Sequence, residues 1–458
     1  MKRLLLLSLL ICSTVIAQDI PAPKLPKGVT ILNQTKASYD LEKKISIFED
    51  WFNLDYRYEN FSAGIRYESF LPNDPSPAIS RGKEKYSDIA FKYFTLNFGN
   101  KKSNLEITAG NYYALVGRGM VLRSYEDRNL RLDNNLQGVL FKANYSNFRF
   151  TGLTGSAANS NNERKDILYL ADLEYRGVKW IKGGITLASN KPEFDNIART
   201  DIGSLRLEAS LGALDGYFEY GVKKNADIQN SVFNSSESIV GKGLYASLSY
   251  YYDIFSIIGE YKLYDNFGFR SFDQTVSYNQ PPATRKDHSY QLFNRHPSTL
   301  DADNEQGYQI EANANLSDNS ALLLQFAEIK TLGRDSYIQR IYGQNLDPRI
   351  KLKEVYGQYS NEWSDKFKTT FALGYNEELD ENTKNFTGVL DLRYSIDRRN
   401  TLRFIFEHQQ SNNRTTLEDY YSDVLSMEYL RSPKYSLAIV TEVKTREPIP
   451  GNIVRLLW

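Results

Sequence analysis

Alternation with a period of two residues recurs along nearly the whole chain, and it constrains the fold more than any other feature. Residues 52 to 58 put Phe52, Leu54, Tyr56 and Tyr58 on one face and Asn53, Asp55 and Arg57 on the other, because successive side chains of a strand point to opposite sides. Beyond Glu59-Asn60 the next run sets Phe61, Ala63, Ile65 and Tyr67 against Ser62, Gly64, Arg66 and Glu68. Late in the chain Phe367, Phe371, Leu373 and Tyr375 oppose Lys366, Lys368, Thr370 and Gly374, and Leu402, Phe404 and Phe406 oppose Arg403 and Glu407. One such strand fits half of a soluble sandwich as well as the wall of a barrel.

The connections separate the two. Short ones, such as Tyr145-Ser146-Asn147, Arg176-Gly177, Ser317-Asp318-Asn319 and Ser364-Asp365, alternate with long polar ones near 71 to 85, 113 to 133, 190 to 201, 225 to 241, 266 to 305, 331 to 351 and 411 to 420. Short turns at one end and long loops at the other describe a bacterial outer-membrane barrel, which also requires an even strand count. Counting from residue 29 to a last strand near 451 gives 22 strands, or as few as 18 if the weak terminal segments are discounted. A single open sheet of that size is rare. The expectation is an all-β fold, a transmembrane antiparallel up-and-down β-barrel with short periplasmic turns and long extracellular loops. Its Phe, Tyr and Leu stripes face lipid and its Lys, Glu, Ser and Gly stripes face the lumen.

The rest of the sequence agrees. Lys2 and Arg3 precede a Leu-rich run, and Val15-Ile16-Ala17 supplies small residues for cleavage before Gln18, so residues 1–17 read as a secretory signal peptide. Residues 18–28 form a short N-terminal segment too small for a plug domain, and residues 29–458 form the barrel. The one Cys, Cys12, lies in the leader, so disulfides do not stabilise the exported chain. Beyond the leader no apolar run approaches the roughly 20 residues of a membrane helix. The balance of 56 basic and 56 acidic side chains removes the electrostatic case for nucleic acid. A C-terminal strand ending on Trp458 suits recognition by the barrel-assembly machinery.

Gly117-Arg118-Gly119-Met120-Val121-Leu122-Arg123-Ser124-Tyr125-Glu126-Asp127, followed by Asn129-Leu130-Arg131-Leu132-Asp133-Asn134, resembles the signature of an uncharacterised family of Bacteroidota outer-membrane β-barrel proteins. Asn294-Arg295-His296-Pro297 with Asp301, Asp303, Glu305 and Gly307-Tyr308 resembles a second stretch of that family. The resemblance covers most of the chain and implies a fold and a location, but no activity.

The 117–134 segment holds Arg118, Arg123, Arg128 and Arg131 against Glu126, Asp127 and Asp133. Folded into the lumen, such a mixture either forms a charged constriction that selects solutes or pairs internally as a lid. The 266–305 loop carries Phe269, Phe272, Tyr290, Arg295 and His296 among other aromatics and cations. It is read either as an extracellular contact surface or as a small core of its own over the barrel mouth. Asp301, Asp303 and Glu305 suggest calcium, but the EF-hand positions for Gly and Glu hold Gln306 and Ala312.

His408, in the apolar phase of its strand, with Ser411 and Asn412 nearby, suits the aromatic interface belt better than a hydrolase triad. No Cys or His cluster marks a metal site, and no catalytic residue, metal or cofactor is expected. The function expected is a porin-like channel for passive diffusion of small solutes, constricted by the 113–133 loop. The alternative is a loop-closed barrel that serves as a structural or docking partner of an envelope protein complex. The expected partners are outer-membrane lipid, the barrel-assembly machinery and such an envelope protein.

Overall fold

A computed structural model of the chain describes residues 26–40, 44–73, 86–100, 102–128, 132–193, 199–225, 240–295, 299–337, 346–379, 382–415, 418–446 and 449–457. Among them 22 strands pair in one antiparallel sheet, from Val29–Asp40 to Ile449–Leu457. Each strand pairs with its sequence neighbours and no connection crosses over. Pairing of the last strand with the first is not seen among the described residues. Most strands start within two residues of the position read from the alternation. The second, Ile45–Tyr58, starts four residues before the position near 49 read from the sequence: Phe48 continues the outward phase of Phe52, while Ile45 and Ile47 fall in the inward phase with Trp51.

At one end of the sheet every connection is two to four residues long, including Glu59-Asn60, Ser146-Asn147, Gly212-Ala213 and Asp253-Ile254. Glu59, Ser146, Gly212 and Asp253 open these turns at φ of 47°, 53°, 65° and 40°, the positive-φ geometry that matches a tight hairpin to strand twist. The long connections, 73–85, 113–135, 226–239, 266–303 and 331–349 among them, all fall at the other end.

The two faces differ as the alternation requires. Leu187, Leu205 and Leu373 are 62%, 57% and 58% exposed on the outward face, while their neighbours Thr186, Ser204 and Ala372 point inward and are buried. A continuous apolar outer wall is unstable in water and stable in lipid. Toward the short turns the inner face is aqueous and charged, with cross-strand pairs such as Lys142–Glu106, Lys182–Glu208 and Lys368–Glu362 at 3.0, 2.6 and 2.9 Å.

Toward the long loops the inner face is not the polar stripe expected from the sequence. Leu140, Leu153, Leu168, Leu170, Ala188 and Ile202 are buried there in one cluster with Met120, Val121, Leu122, Phe267, Phe269 and Tyr278. The 266–303 loop therefore does not cap the mouth with a core of its own. It enters the lumen and shares a core with the wall and with the 113–135 loop. The entry point is Phe267, whose ring lies where a Cβ on Gly221 or Gly243 would come within 2.5 Å of it; only glycine on two adjacent strands leaves that recess. Phe267→Ala should empty it and cost about 3–5 kcal/mol, read as a lower melting temperature and faster hydrogen exchange in residues 266–280.

Candidate functional site in the lumen

The 113–135 segment is shaped by two short ribbons, Leu115–Val116 with Leu122–Arg123 and Glu126–Asp127 with Leu132–Asp133. Between the strands of the first ribbon, Gly117 and Gly119 adopt φ of 56° and 87°. A Cβ on Gly117 would lie 2.8 Å from the Glu219 carboxylate and 3.1 Å from the Tyr217 hydroxyl, so the tip reaches the wall because it is glycine. Met120, Val121 and Leu122 are wholly buried. The two loops are joined through their backbones: Arg123 N donates to Tyr278 O at 2.9 Å and Gln280 N to Gly119 O at 3.1 Å, and Asn279 Nδ2 donates to Met120 O at 3.0 Å.

The base of the first loop is held by Arg66, on the strand Phe61–Pro72. Its guanidinium meets Glu68 at 2.7 Å, Glu126 at 2.9 Å and Asp133 at 2.7 Å, with Tyr113 donating to Asp133 at 2.9 Å. The carboxylate oxygens of the three acids lie within 4.8 Å of one another, and Arg66 supplies the cation that lets them share that space. Arg128 binds Glu126 and Gln34 at 2.9 and 2.7 Å and lies over the Trp51 ring. Arg123 lies over Tyr125, and Asp127 pairs by backbone with Leu132.

The second loop crosses to the far wall. His288 Nε2 is 2.9 Å from Glu354 and its ring packs on Tyr356. The Tyr290 hydroxyl donates to Asp391 at 3.3 Å; burial, and then Asp391, push its pKa upward. Gln291 N and Leu292 N both donate to the buried Glu407, at 3.1 and 2.8 Å, and Arg295 pairs with Glu442. Asp303 accepts from Gly268 N and pairs with Arg270, while Glu305 pairs with Lys262 and Lys351. Of the acids considered for calcium, Asp303 and Glu305 are thus met by this chain's own cations, and Asp301 accepts from Asp303 N at 2.9 Å. Two loops that touch inward side chains from Gln34 to Glu442 place the sheet around them, as a barrel.

Of the residues considered as external contacts, Phe269 and Tyr290 are buried, at 0% and 3%, and Arg295 is tied inside. Apolar rings at the loop end of the lumen drew them in. Phe272 is half exposed. Arg131, His296 and Trp458 lie outside the described residues. His408 faces outward, stacked on Tyr421 and 2.7 Å from Asp423, whereas Ser411 is fully buried on the opposite face, so the two do not meet.

Beneath the packed loops, the exposed tip carries Arg118. Its guanidinium lies 4.1 Å from the Tyr217 ring centre, and Nη1 donates to the Tyr245 hydroxyl at 3.1 Å and to Ser247 Oγ at 3.0 Å. Tyr217 and Tyr245 donate in turn to Glu219 and Glu260, each at 2.5 Å. This tip roofs a cavity of about 340 Å³ whose walls include Arg149, Asp172, Glu174, Lys182, Arg206 and Glu208. The sequence reading did not single out Arg66, Arg149, Tyr217, Tyr245 or Glu407. Each is an ordinary polar or aromatic residue in the inward phase of a strand, and only the loops' paths give it a role.

Solved structures with a similar fold are outer-membrane β-barrels. Pseudomonas aeruginosa OprD is 10% identical, with 90% of this chain and 94% of that chain covered and a TM-score of 0.38. Pseudomonas aeruginosa OccK10 (OpdN) is 10% identical, with 90% and 98% covered and a TM-score of 0.40. A chain of the E. coli P pilus tip assembly intermediate PapC-PapD-PapK-PapG is 10% identical, with 94% of this chain and 59% of that chain covered and a TM-score of 0.50. At that identity the last likeness concerns the fold alone. No curated protein sequence matches. Residues 1–449 match the model of DUF6029, a family of unknown function, and the chain belongs to that family.

Proposed function

We propose that this chain is a porin-like channel of the outer membrane, exported on its 1–17 leader and inserted by the barrel-assembly machinery as the 29–458 barrel. In it small solutes diffuse past a constriction built by the 113–135 loop. The envelope is that of a Bacteroidota cell, as the motif resemblance implies. The observation that carries the reading is Arg118. It is an exposed cation held on two tyrosines at the tip of an inward loop, directly above an aqueous, charge-lined half of the lumen. Fixed charge at the narrowest part of a wet passage is how pores select solutes.

A second reading is favoured by the fully buried Met120, Val121, Leu122, Phe267 and Phe269: the packed loops close the barrel, which then serves as a docking partner in the envelope. Planar-bilayer conductance of the detergent-purified protein separates the two. The channel reading expects stable single-channel steps from the wild type. Silence from the wild type, with large steps from a variant deleting residues 117–133, would overturn passive diffusion in favour of the closed barrel.

A further inference from the structure

We infer that the cavity beneath the Gly117-Arg118 tip is a binding site for a small oxyanion, a solute bearing a carboxylate or phosphate group. The inference rests on the channel reading and adds the solute class to it.

The argument is one of charge left over. The cavity wall carries four cations, Arg118, Arg149, Lys182 and Arg206, and three carboxylates, Asp172, Glu174 and Glu208. All three carboxylates are already taken. Arg206 holds Asp172 at 2.6 Å and Glu174 at 3.1 Å, Arg176 holds Glu174 from the other side, and Lys182 holds Glu208 at 2.6 Å. Glu174 is the residue directly across the ladder from Arg149, so the acid placed to neutralise Arg149 is committed elsewhere. Among the described residues Arg118 and Arg149 have no carboxylate partner.

Arg118 is also aimed. Both of its hydrogen bonds to the wall leave from Nη1, and stacking on Tyr217 fixes the guanidinium plane. The Nε and Nη2 donors remain for a ligand, and a guanidinium edge with two parallel N–H groups matches the two oxygens of a carboxylate or phosphate. Glu260 accepts the Tyr245 proton, which leaves the Tyr245 oxygen lone pairs for Arg118 and keeps the cation in place when a ligand leaves. The cavity, at about 340 Å³, sits at the small end of the ligand-pocket range of about 300–1,000 Å³. That admits a short organic acid or a phosphate monoester of similar size and excludes oligosaccharides. The apolar Leu115 and Val116 on its roof would meet a short carbon chain.

The test uses full-length protein in planar bilayers under a KCl gradient, with inorganic phosphate and succinate as probes. Expected are an anion-selective reversal potential and a chloride current blocked by either probe. In Arg118→Ala/Arg149→Ala the block should weaken by at least roughly tenfold, the effect of losing charge-assisted hydrogen bonds. The lysine double variant should keep the anion preference while losing part of the block. Conduction with unchanged selectivity and block in the alanine variant would overturn the anion site and leave the channel reading standing. If the wild type does not conduct, the channel reading fails separately and calorimetry with inorganic phosphate decides the site. Binding to wild type that is lost in the alanine variant supports it, and no binding to wild type overturns it. Retention of the native barrel's shifted mobility in unheated detergent gels checks that each variant is folded.

Discussion

Arg66→Ala should release the 113–135 loop from the wall. The substitution leaves Glu68, Glu126 and Asp133 crowded together without the guanidinium that now meets all three. Stripping one partner from a buried ion pair costs about 3–5 kcal/mol, because the remaining charge is neither solvated nor paired. The cost falls on the loop rather than on the sheet, whose ladders on either side of Arg66 stay intact. Hydrogen exchange should therefore accelerate for the amides of residues 113–135, and protease should cut there, while the strands stay protected. Arg66→Met combined with Glu68→Gln, Glu126→Gln and Asp133→Asn removes the charges together and should restore much of the protection. Equal protection in wild type and Arg66→Ala would show that the hydrophobic contacts of Met120 to Leu122 hold the loop unaided.

The other large effect is expected at Glu305. Its carboxylate is fully buried and meets two ammonium groups, those of Lys262 and Lys351, which are 1% and 7% exposed. Lys351 also donates to Thr299 O at 2.6 Å, so this cluster ties the returning end of the second loop to the wall. Glu305→Ala abandons two buried cations and should cost on the order of 3–5 kcal/mol, more than Phe267→Ala if the site takes up no water. The readout is the temperature at which the detergent-solubilised protein loses its compact gel mobility. Lys262→Met and Lys351→Met together with Glu305→Leu should recover most of the loss, and failure to recover would point to a role for the cluster beyond charge balance.

How much of this was legible in the sequence depends on whether local pattern or distant packing sets the feature. The strands were legible because lipid outside and water inside impose opposite chemistry on alternate residues, as where Phe404 and Phe406 face outward and Arg403 and Glu407 inward. The turns at Ser146-Asn147 and Asp318-Asn319 were legible because such polar residues punctuate them, whereas the strand read to end at Arg176-Gly177 runs on to Val178 and turns at Lys179-Trp180. The even strand count followed from the rhythm of connections. The apolar belt of the lumen was not, since Leu168 and Leu170 sit in the inward phase between outward Ile167, Tyr169 and Leu173. A segment apolar on both faces reads equally as a strand buried in protein.

The candidate site was half legible. Arg118, Glu126 and Asp133 stand out in a glycine-bearing loop, but their partners Tyr217, Tyr245 and Arg66 lie 60 to 127 residues away, and nothing local marks such a pairing. Phe269 and Tyr290 look like contact aromatics in a polar loop. They are buried because the lumen wall offers them an apolar surface that the linear pattern does not reveal.

The joining of the two loops by backbone hydrogen bonds has a consequence for the order in which the molecule is built. The first loop's partners include Tyr217 and Tyr245 on later strands and Tyr278 and Gln280 on the second loop, so its final shape requires more than half of the wall to be in place. Until Phe267 and Phe269 arrive, the apolar inner belt from Leu140 to Ile202 faces water. Contacts this distant in sequence form late, because the intervening chain must first be ordered. The lumen is therefore filled last, and a growing barrel passes through a wide, unobstructed stage before its own loops narrow it.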